Sequence, residues 1–280
     1  MIAPRPPNRI KIDPKSSIPR AIHQIWLQGQ QNIPAEFLSG VEAWRRHHAD
    51  WQYTLWDESS IRRMLRESYA WFLPVYSGYR YLHQRADAAR YFILYRFGGV
   101  YADIDTEPVR ALDSLFHERD GAHLIVPALK QNDFERKLMC FMFGARHILT
   151  NCVLAASKNN EVLRGLLLAL PASRRLMLPF REPHISFSTG PLFLTTALKR
   201  EIRKNRSIDV LPQHYFDVGP EQAETTDGYV VHYAAATWHS SAFSLLLRYY
   251  ARVVEMLWPN RNRSKHSYTV QMPIDASKEK

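Results

Sequence analysis

Two cysteines, Cys140 and Cys152, in 280 residues are too few for a disulfide framework, and a chain of this length can build its core without one. A reducing compartment is the expectation. No uninterrupted apolar run approaches the ~20 residues needed to span a bilayer. The longest, Leu245 to Leu257, is interrupted by Arg248, Arg252 and Glu255. Met1 to Ile18, rich in Pro and basic residues, lacks the apolar core of a secretory leader. We expect a cytoplasmic protein that is soluble or makes peripheral contact with the inner face of a membrane. Zinc-ligand spacing, RNA-binding signatures, long basic helices, internal repeats and low-complexity blocks are also missing. The net charge of +10 therefore points away from nucleic acid and toward a phosphorylated substrate or an anionic membrane surface.

Hydrophobic residues make up 46% of the chain, enough for one large α/β domain. The predicted elements alternate, which indicates an open mixed sheet flanked by helices. Strands are expected at Ala21 to Leu27, Gln52 to Trp56, Val100 to Asp105, Ala122 to Val126 and Tyr229 to Tyr233. Helices are expected at Glu58 to Arg66 behind an Asp57 cap, and at Tyr81 to Phe97, stopped by Gly98-Gly99. Further helices are expected at Asn151 to Ser157, Glu161 to Leu170, Pro191 to Lys204 and Ser241 to Trp258. The domain divides as a flexible segment 1–17, a catalytic domain 18–259 and a polar tail 260–280. Trp44, Trp51, Trp56 and Trp71 read as core or groove-lining residues.

The informative segment is RADAARYFILYRFGGVYADID, residues 85–105. On a strand, alternate side chains share a face, so Asp103 and Asp105 would project together while Ile104 turns into the core. Two carboxylates so placed suit Mg²⁺ or Mn²⁺, hard ions that complete their shell with substrate phosphates. On the preceding helix Asp87 and Arg90 share a face, and the Gly98-Gly99 reversal would return that helix beside the strand. A guanidinium there neutralises phosphate, and a carboxylate accepts bonds from sugar hydroxyls. Taken singly, each feature also has a structural reading: a solvated strand end, a helix-surface ion pair, a helix stop. Asn151 reads as an N-cap in preference to a substrate contact.

The run Asp87, Arg90, Tyr91, Leu94, Tyr95, Gly98, Gly99, Tyr101, Asp103, Asp105 resembles the DXD-containing glycosyltransferase family 32, a group of fungal mannosyltransferases and bacterial surface-polysaccharide transferases. The catalytic core of the clostridial glucosylating toxins is related. The similarity extends over about residues 18–240, through Ile18 to Gly29, Trp51 to Glu58, Thr189-Gly190-Pro191 and Val230 to Trp238, where Thr237 replaces the family's Ser.

The resemblance implies a Rossmann-like GT-A fold and a metal-dependent, retaining transfer. A hexose or N-acetylhexosamine would move from a nucleotide sugar to a glycan or lipid-linked acceptor in surface polysaccharide or lipopolysaccharide synthesis. It implies Trp26 on the nucleobase, Asp87 on sugar hydroxyls and Arg90 at the phosphate. Asp103 would meet ribose and metal, with Tyr101 in the donor site, and Asp105 would meet the metal. His232 and Trp238 would close the site. His232 reads either as the third metal ligand or as a core histidine, and His239 competes for the ligand role. Glycosylation of a host protein, a non-catalytic sugar-nucleotide binding module and a metal-dependent phosphotransferase or nuclease are the rival readings. The Ser241 to Trp258 helix suits either packing on the sheet or docking on an anionic membrane.

Overall fold

A computed structural model describes residues 17–119, 121–128, 140–141, 144–175, 178, 180–199, 201–204, 208–216, 218 and 227–233. Trp238, His239, the helix expected from Ser241 to Trp258 and the tail 260–280 lie outside the described residues, as does nearly all of segment 1–17. Within them the chain forms the expected mixed sheet flanked by helices. Strands β1 (Ala21–Ile25), β2 (Gln52–Trp56) and β3 (Gly99–Ala102) lie in the order β2-β1-β3, all parallel. The short strand β4 (Thr106–Pro108) follows at once. The main sheet continues through β6 (Val153–Ala156), β5 (Leu124–Ala128) and β7 (Ile208–Pro212), with β6 antiparallel to both β3 and β5. Strand β8 (Val230–His232) pairs antiparallel with β4 in a second, two-stranded sheet.

Two expectations change here. Asn151 to Ser157, read as helix, contributes β6, buried along its whole length between two neighbours. A four-residue apolar run carries no period that separates a buried strand from a helix. Asn160, not Asn151, caps the following helix α6 (Glu161–Ser173), accepting from the Val162 and Leu163 amides. Pro191 to Lys204 is two helices, Pro191–Leu198 and Glu201–Lys204, not one. The sequence reading also passed over helix α1 (Ala35–His47), the short helices α3 (Leu73–Ser77) and α5 (Asp113–Glu118), helix α7 (Arg181–Ser188) and strands β4 and β7.

Helix α4 (Leu82–Phe97) is the axis of the fold. Helix α2 (Glu58–Ser68), whose Asp57 cap accepts from the Ser60 amide at 2.7 Å, contributes Ile61, Met64 and Leu65 to the apolar layer that holds α4. Asp87 to Tyr95 is buried on every side of α4, the pattern of a helix enclosed by sheet on one face and helices on the other. Opposite, Trp44 of α1 packs under the sheet with Val100, Ala102 and Phe216. Trp51 and Trp56 are likewise buried, and Trp71 packs against the core from its edge.

Helix α4 ends as expected: Gly98 has φ +68° and Gly99 φ +90°, so the chain reverses within two residues and enters β3. A Cβ on Gly99 would lie 2.4 Å from the Ala21 carbonyl oxygen on β1. We expect Gly99→Ala to lose roughly 2–4 kcal/mol in urea unfolding, from left-handed strain plus overlap with backbone.

His23 on β1 holds the same reversal. Its Nε2 donates to the Gly98 carbonyl at 3.0 Å, while Nδ1 accepts from Trp56 Nε1 at 3.3 Å, which fixes a neutral tautomer. Burial pulls its pKa from 6.5 to about 4, with the Gly98 bond opposing. Between those values the folded chain binds fewer protons than the unfolded one. Stability from His23 is therefore complete above pH 6.5 and is lost as pH falls through about 4. We expect ~3 kcal/mol less stability at pH 4 than at pH 7 from this group, and a flatter profile for His23→Gln.

Candidate active site

The D-x-D segment is a turn, not a strand. Strand β3 stops at Ala102, and Asp103-Ile104-Asp105 leads into β4. The Asp103 carbonyl accepts from the Thr106 amide (3.2 Å), the Thr106 hydroxyl (2.6 Å) and Gln24 Nε2 (3.2 Å), which closes the turn. The Thr106 hydroxyl and the Gln24 amide give the Asp103 carbonyl side-chain partners in place of a ladder, so the strand ends three residues before its pattern does. Ile104 nevertheless turns inward as expected, packing with Ile33 and Val41. The carboxylates converge by turn geometry where strand alternation had been expected to bring them together.

Long-range pairing supplies the third group. Thr106 is opposite His232 in the β4–β8 ladder, and the Tyr233 amide donates to the Asp105 carbonyl at 3.0 Å. His232 Nε2 is 3.6 Å from Asp105 Oδ2, and one ligand atom each from Asp103, Asp105 and His232 lies within 4.8 Å of the others. His232 is thus a half-buried group at the site, not a core histidine.

From α4, Arg90 reaches into the same space. Its Nη2 is 2.8 Å from Asp87 Oδ1 and 3.1 Å from Asp103 Oδ1, its Nη1 donates to the Asn151 carbonyl, and its guanidinium lies 4.4 Å from the centre of the Tyr101 ring. The Tyr101 hydroxyl donates to Asp103 Oδ1 at 2.6 Å. Asp87 also accepts from Asn151 Nδ2 (2.9 Å) and from the Thr189 hydroxyl (3.1 Å). Tyr91 ties this end of α4 to the Thr189 carbonyl at 2.9 Å. Burial works against the Arg90 charge, but Asp103, Tyr101 and Asp87 outweigh it and keep the guanidinium protonated.

Asp87 and Asp103 share one guanidinium while Asp105 faces His232, so carboxylates are in surplus over fixed positive charge among these residues. Burial pushes Asp103 up to about 6; Arg90 opposes, Asp105 adds, and Tyr101 and His232 oppose. Burial likewise raises Asp87, against Arg90 and its hydrogen-bond donors. A divalent cation fits these residues on charge as well as donor type: two carboxylate oxygens and an imidazole are ordinary ligands for Mn²⁺, and the ion would balance the surplus. Arg90 Nε is buried without a hydrogen-bond partner among the described residues, a donor left over in this cluster.

Trp26 stands just beyond the end of β1, half-exposed, its Nε1 donating to the Asn32 carbonyl at 2.9 Å and its ring edge-on to Phe37. Asn151, expected as a cap in preference to a substrate contact, and Thr189, expected only as part of a motif, both hold Asp87. Thr189-Gly190-Pro191 is the one sequence signal for Thr189. A Cβ on Gly190 would lie 3.1 Å from Ser186 Cα and 3.3 Å from the Ile185 carbonyl oxygen, so the small residue lets the chain pack closely after α7.

Residues 34–121 match the family model described as the glycosyltransferase sugar-binding region containing the DXD motif. Over that segment the chain is similar to the sugar-binding region of the DXD glycosyltransferases. It is 31% identical over 234 residues to inositol phosphoceramide mannosyltransferase 1 of Schizosaccharomyces pombe, covering 80% of this chain and 63% of that protein. It is 30% identical over 205 residues to a mannosyl phosphorylinositol ceramide synthase of Saccharomyces cerevisiae, covering 71% and 47%. The chain thus spans less than two thirds of the length of these curated relatives. Among solved structures, the UDP-bound glycosyltransferase domain of the YGT toxin aligns over 86% of this chain and 91% of that chain, with a TM-score of 0.46 and 11% identity. That likeness is too distant to carry residue roles across. No helix among the described residues is long and apolar enough to cross a membrane.

Proposed function

We propose that this chain is a nucleotide-sugar-dependent glycosyltransferase that moves a hexose, mannose first among candidates, to a hydroxyl of a phosphorylated glycolipid, with retention of anomeric configuration. The observation that carries the reading is the buried Arg90 guanidinium held between Asp87 and Asp103, beside the convergence of Asp103, Asp105 and His232. That arrangement suits a diphosphate bridging a cation and a guanidinium, with the sugar lying toward Asp87. Asp103, Asp105 and His232 would hold Mn²⁺ or Mg²⁺, which supplies positive charge to the diphosphate when bound. Trp26 would stack on the base, Tyr101 would position Asp103, and Trp238 would close the site.

In the transfer, the acceptor oxygen bonds to the anomeric carbon as the bond to the diphosphate oxygen breaks. The nucleoside diphosphate leaves with the electron pair. Asp87 is engaged by Arg90, Asn151 and Thr189, and Asp103 by Arg90 and Tyr101, so neither is poised as a nucleophile. This supports front-face attack, with the leaving phosphate oxygen taking the acceptor proton. The names of the relatives favour an inositol phosphoceramide-type acceptor over a surface polysaccharide. The test supplies GDP- and UDP-sugars with such a lipid, with a polysaccharide fragment and with no acceptor, and reads product mass and anomeric proton coupling. Hexosylated lipid with the donor's configuration supports the proposal. A product of opposite configuration or hexosylated polysaccharide alone corrects it, and no transfer with any donor overturns it.

A further inference from the structure

We infer that Arg80, Tyr81 and Arg181 form the subsite that holds the phosphodiester of an anionic lipid acceptor, next to the sugar site; the inference rests on the transferase reading above. Two guanidiniums gather on one ring. Arg80 Cζ is 5.3 Å and Arg181 Cζ 5.4 Å from the centre of Tyr81, and Arg181 Nη2 is 3.3 Å from His83 Nδ1. That last contact needs a neutral imidazole. Burial lowers the His83 pKa first; Asp87 opposes, and Arg181 and Arg90 add to the lowering.

Arg80 and Arg181 are exposed, and among the described residues neither forms an ion pair with a carboxylate. Like charges brought together without a counter-charge raise the local potential, and guanidinium forks match phosphate oxygens. Placement ties the cluster to the reaction. His83 lies one turn before Asp87 on α4, ~6 Å along the axis. Gln84 Nε2 donates to Ser188 Oγ at 2.7 Å and Thr189 to Asp87 at 3.1 Å, so α4 and α7 are fastened together between the arginines and the sugar site. A ligand anchored at Arg80 and Arg181 can therefore present a hydroxyl toward Asp87.

The same rim carries apolar surface. Leu82 is 47% exposed and Phe180 54% exposed, and they adjoin Tyr81 and Arg181 in the chain. Cations flanked by exposed apolar side chains suit a phosphate with a hydrocarbon tail better than a free phosphate or an uncharged glycan.

The test compares the wild-type protein with Arg80→Gln/Arg181→Gln, Arg80→Lys/Arg181→Lys and Leu82→Ser/Phe180→Ser. Acceptor KM is measured on an inositol phospholipid in mixed micelles and on a phosphate-free glycolipid. Retention is measured on vesicles of phosphatidylinositol in phosphatidylcholine and of phosphatidylcholine alone. We expect the glutamine pair to raise KM for the phospholipid about tenfold, the loss of one charge-assisted contact, with kcat and donor KM moving less than twofold. Retention on phosphatidylinositol vesicles should fall in step, with partial rescue by the lysine pair and a fall with the serine pair. If the wild type turns over no donor yet its vesicle retention depends on the arginines, the subsite stands and the transferase reading fails. Unchanged phospholipid KM and retention in the glutamine pair overturn the subsite, as does an equal loss on the phosphate-free acceptor. Unchanged retention in the serine pair overturns the lipid assignment.

Discussion

We expect Asp105→Asn to lower sugar transfer by more than ~100-fold while the protein keeps its fold. Asp105 sits in the turn between β3 and β4, half-buried, and its side chain faces His232 across 3.6 Å. Asparagine keeps its size and can still accept a hydrogen bond, but it removes one of the charges that make the turn attractive to a divalent cation. The backbone contacts that shape this turn run through the Asp103 carbonyl, Thr106, Gln24 and the Tyr233 amide, and do not depend on the Asp105 carboxylate. Turnover with Mn²⁺, together with thermal unfolding of the metal-free protein, separates the two effects. Lost turnover with a melting midpoint within a few degrees is the expected pair; an unfolded variant would make Asp105 structural.

Arg90→Met has the opposite signature, losing both activity and stability. Arg90 is the counter-charge for the buried Asp87 carboxylate and the half-buried Asp103 carboxylate, and its removal leaves both unbalanced while the methionine fills only part of the space. Breaking a buried pair from one side costs ~3–5 kcal/mol, which urea unfolding would measure. Arg90→Lys should rescue little, because an ammonium cannot reach Asp87, Asp103 and the Asn151 carbonyl at once. In the metal-free variant the cost should shrink as pH is lowered. With Arg90 present Asp103 already titrates at about 6 because it is buried, and losing the guanidinium moves it higher. A carboxyl whose folded pKa is raised stabilises the fold below its unfolded value and loses that contribution as pH rises through its folded value.

What could be read before folding was local. Asp87 and Arg90 share a helix face by period alone, and Gly98-Gly99 could only be a reversal, so one end of the site followed from twenty consecutive residues. Ile104 was placed correctly although the strand carrying it was not, because the apolar residue between two aspartates turns inward in strand and turn alike. Val153–Ala156 was misread since its identity as a strand comes from β3 and β5 on either side, a tertiary fact. Asn151 and Thr189 reach Asp87 across separations of 64 and 102 residues, and no local pattern encodes such meetings. His232 could be named but not placed; its position follows from the register of β8 on β4.

If Asp103, Asp105 and His232 hold a divalent cation, as we propose, sugar transfer depends on that ion. The most direct test is the initial rate of nucleotide-sugar consumption by the wild-type protein after exhaustive treatment with chelator, and again after titration with Mn²⁺ and with Mg²⁺. The expected rate is at background without metal, restored on adding back a stoichiometric excess of either ion, and not restored in Asp105→Asn. Full turnover in the chelated protein, or equal restoration in that variant, would contradict the proposal.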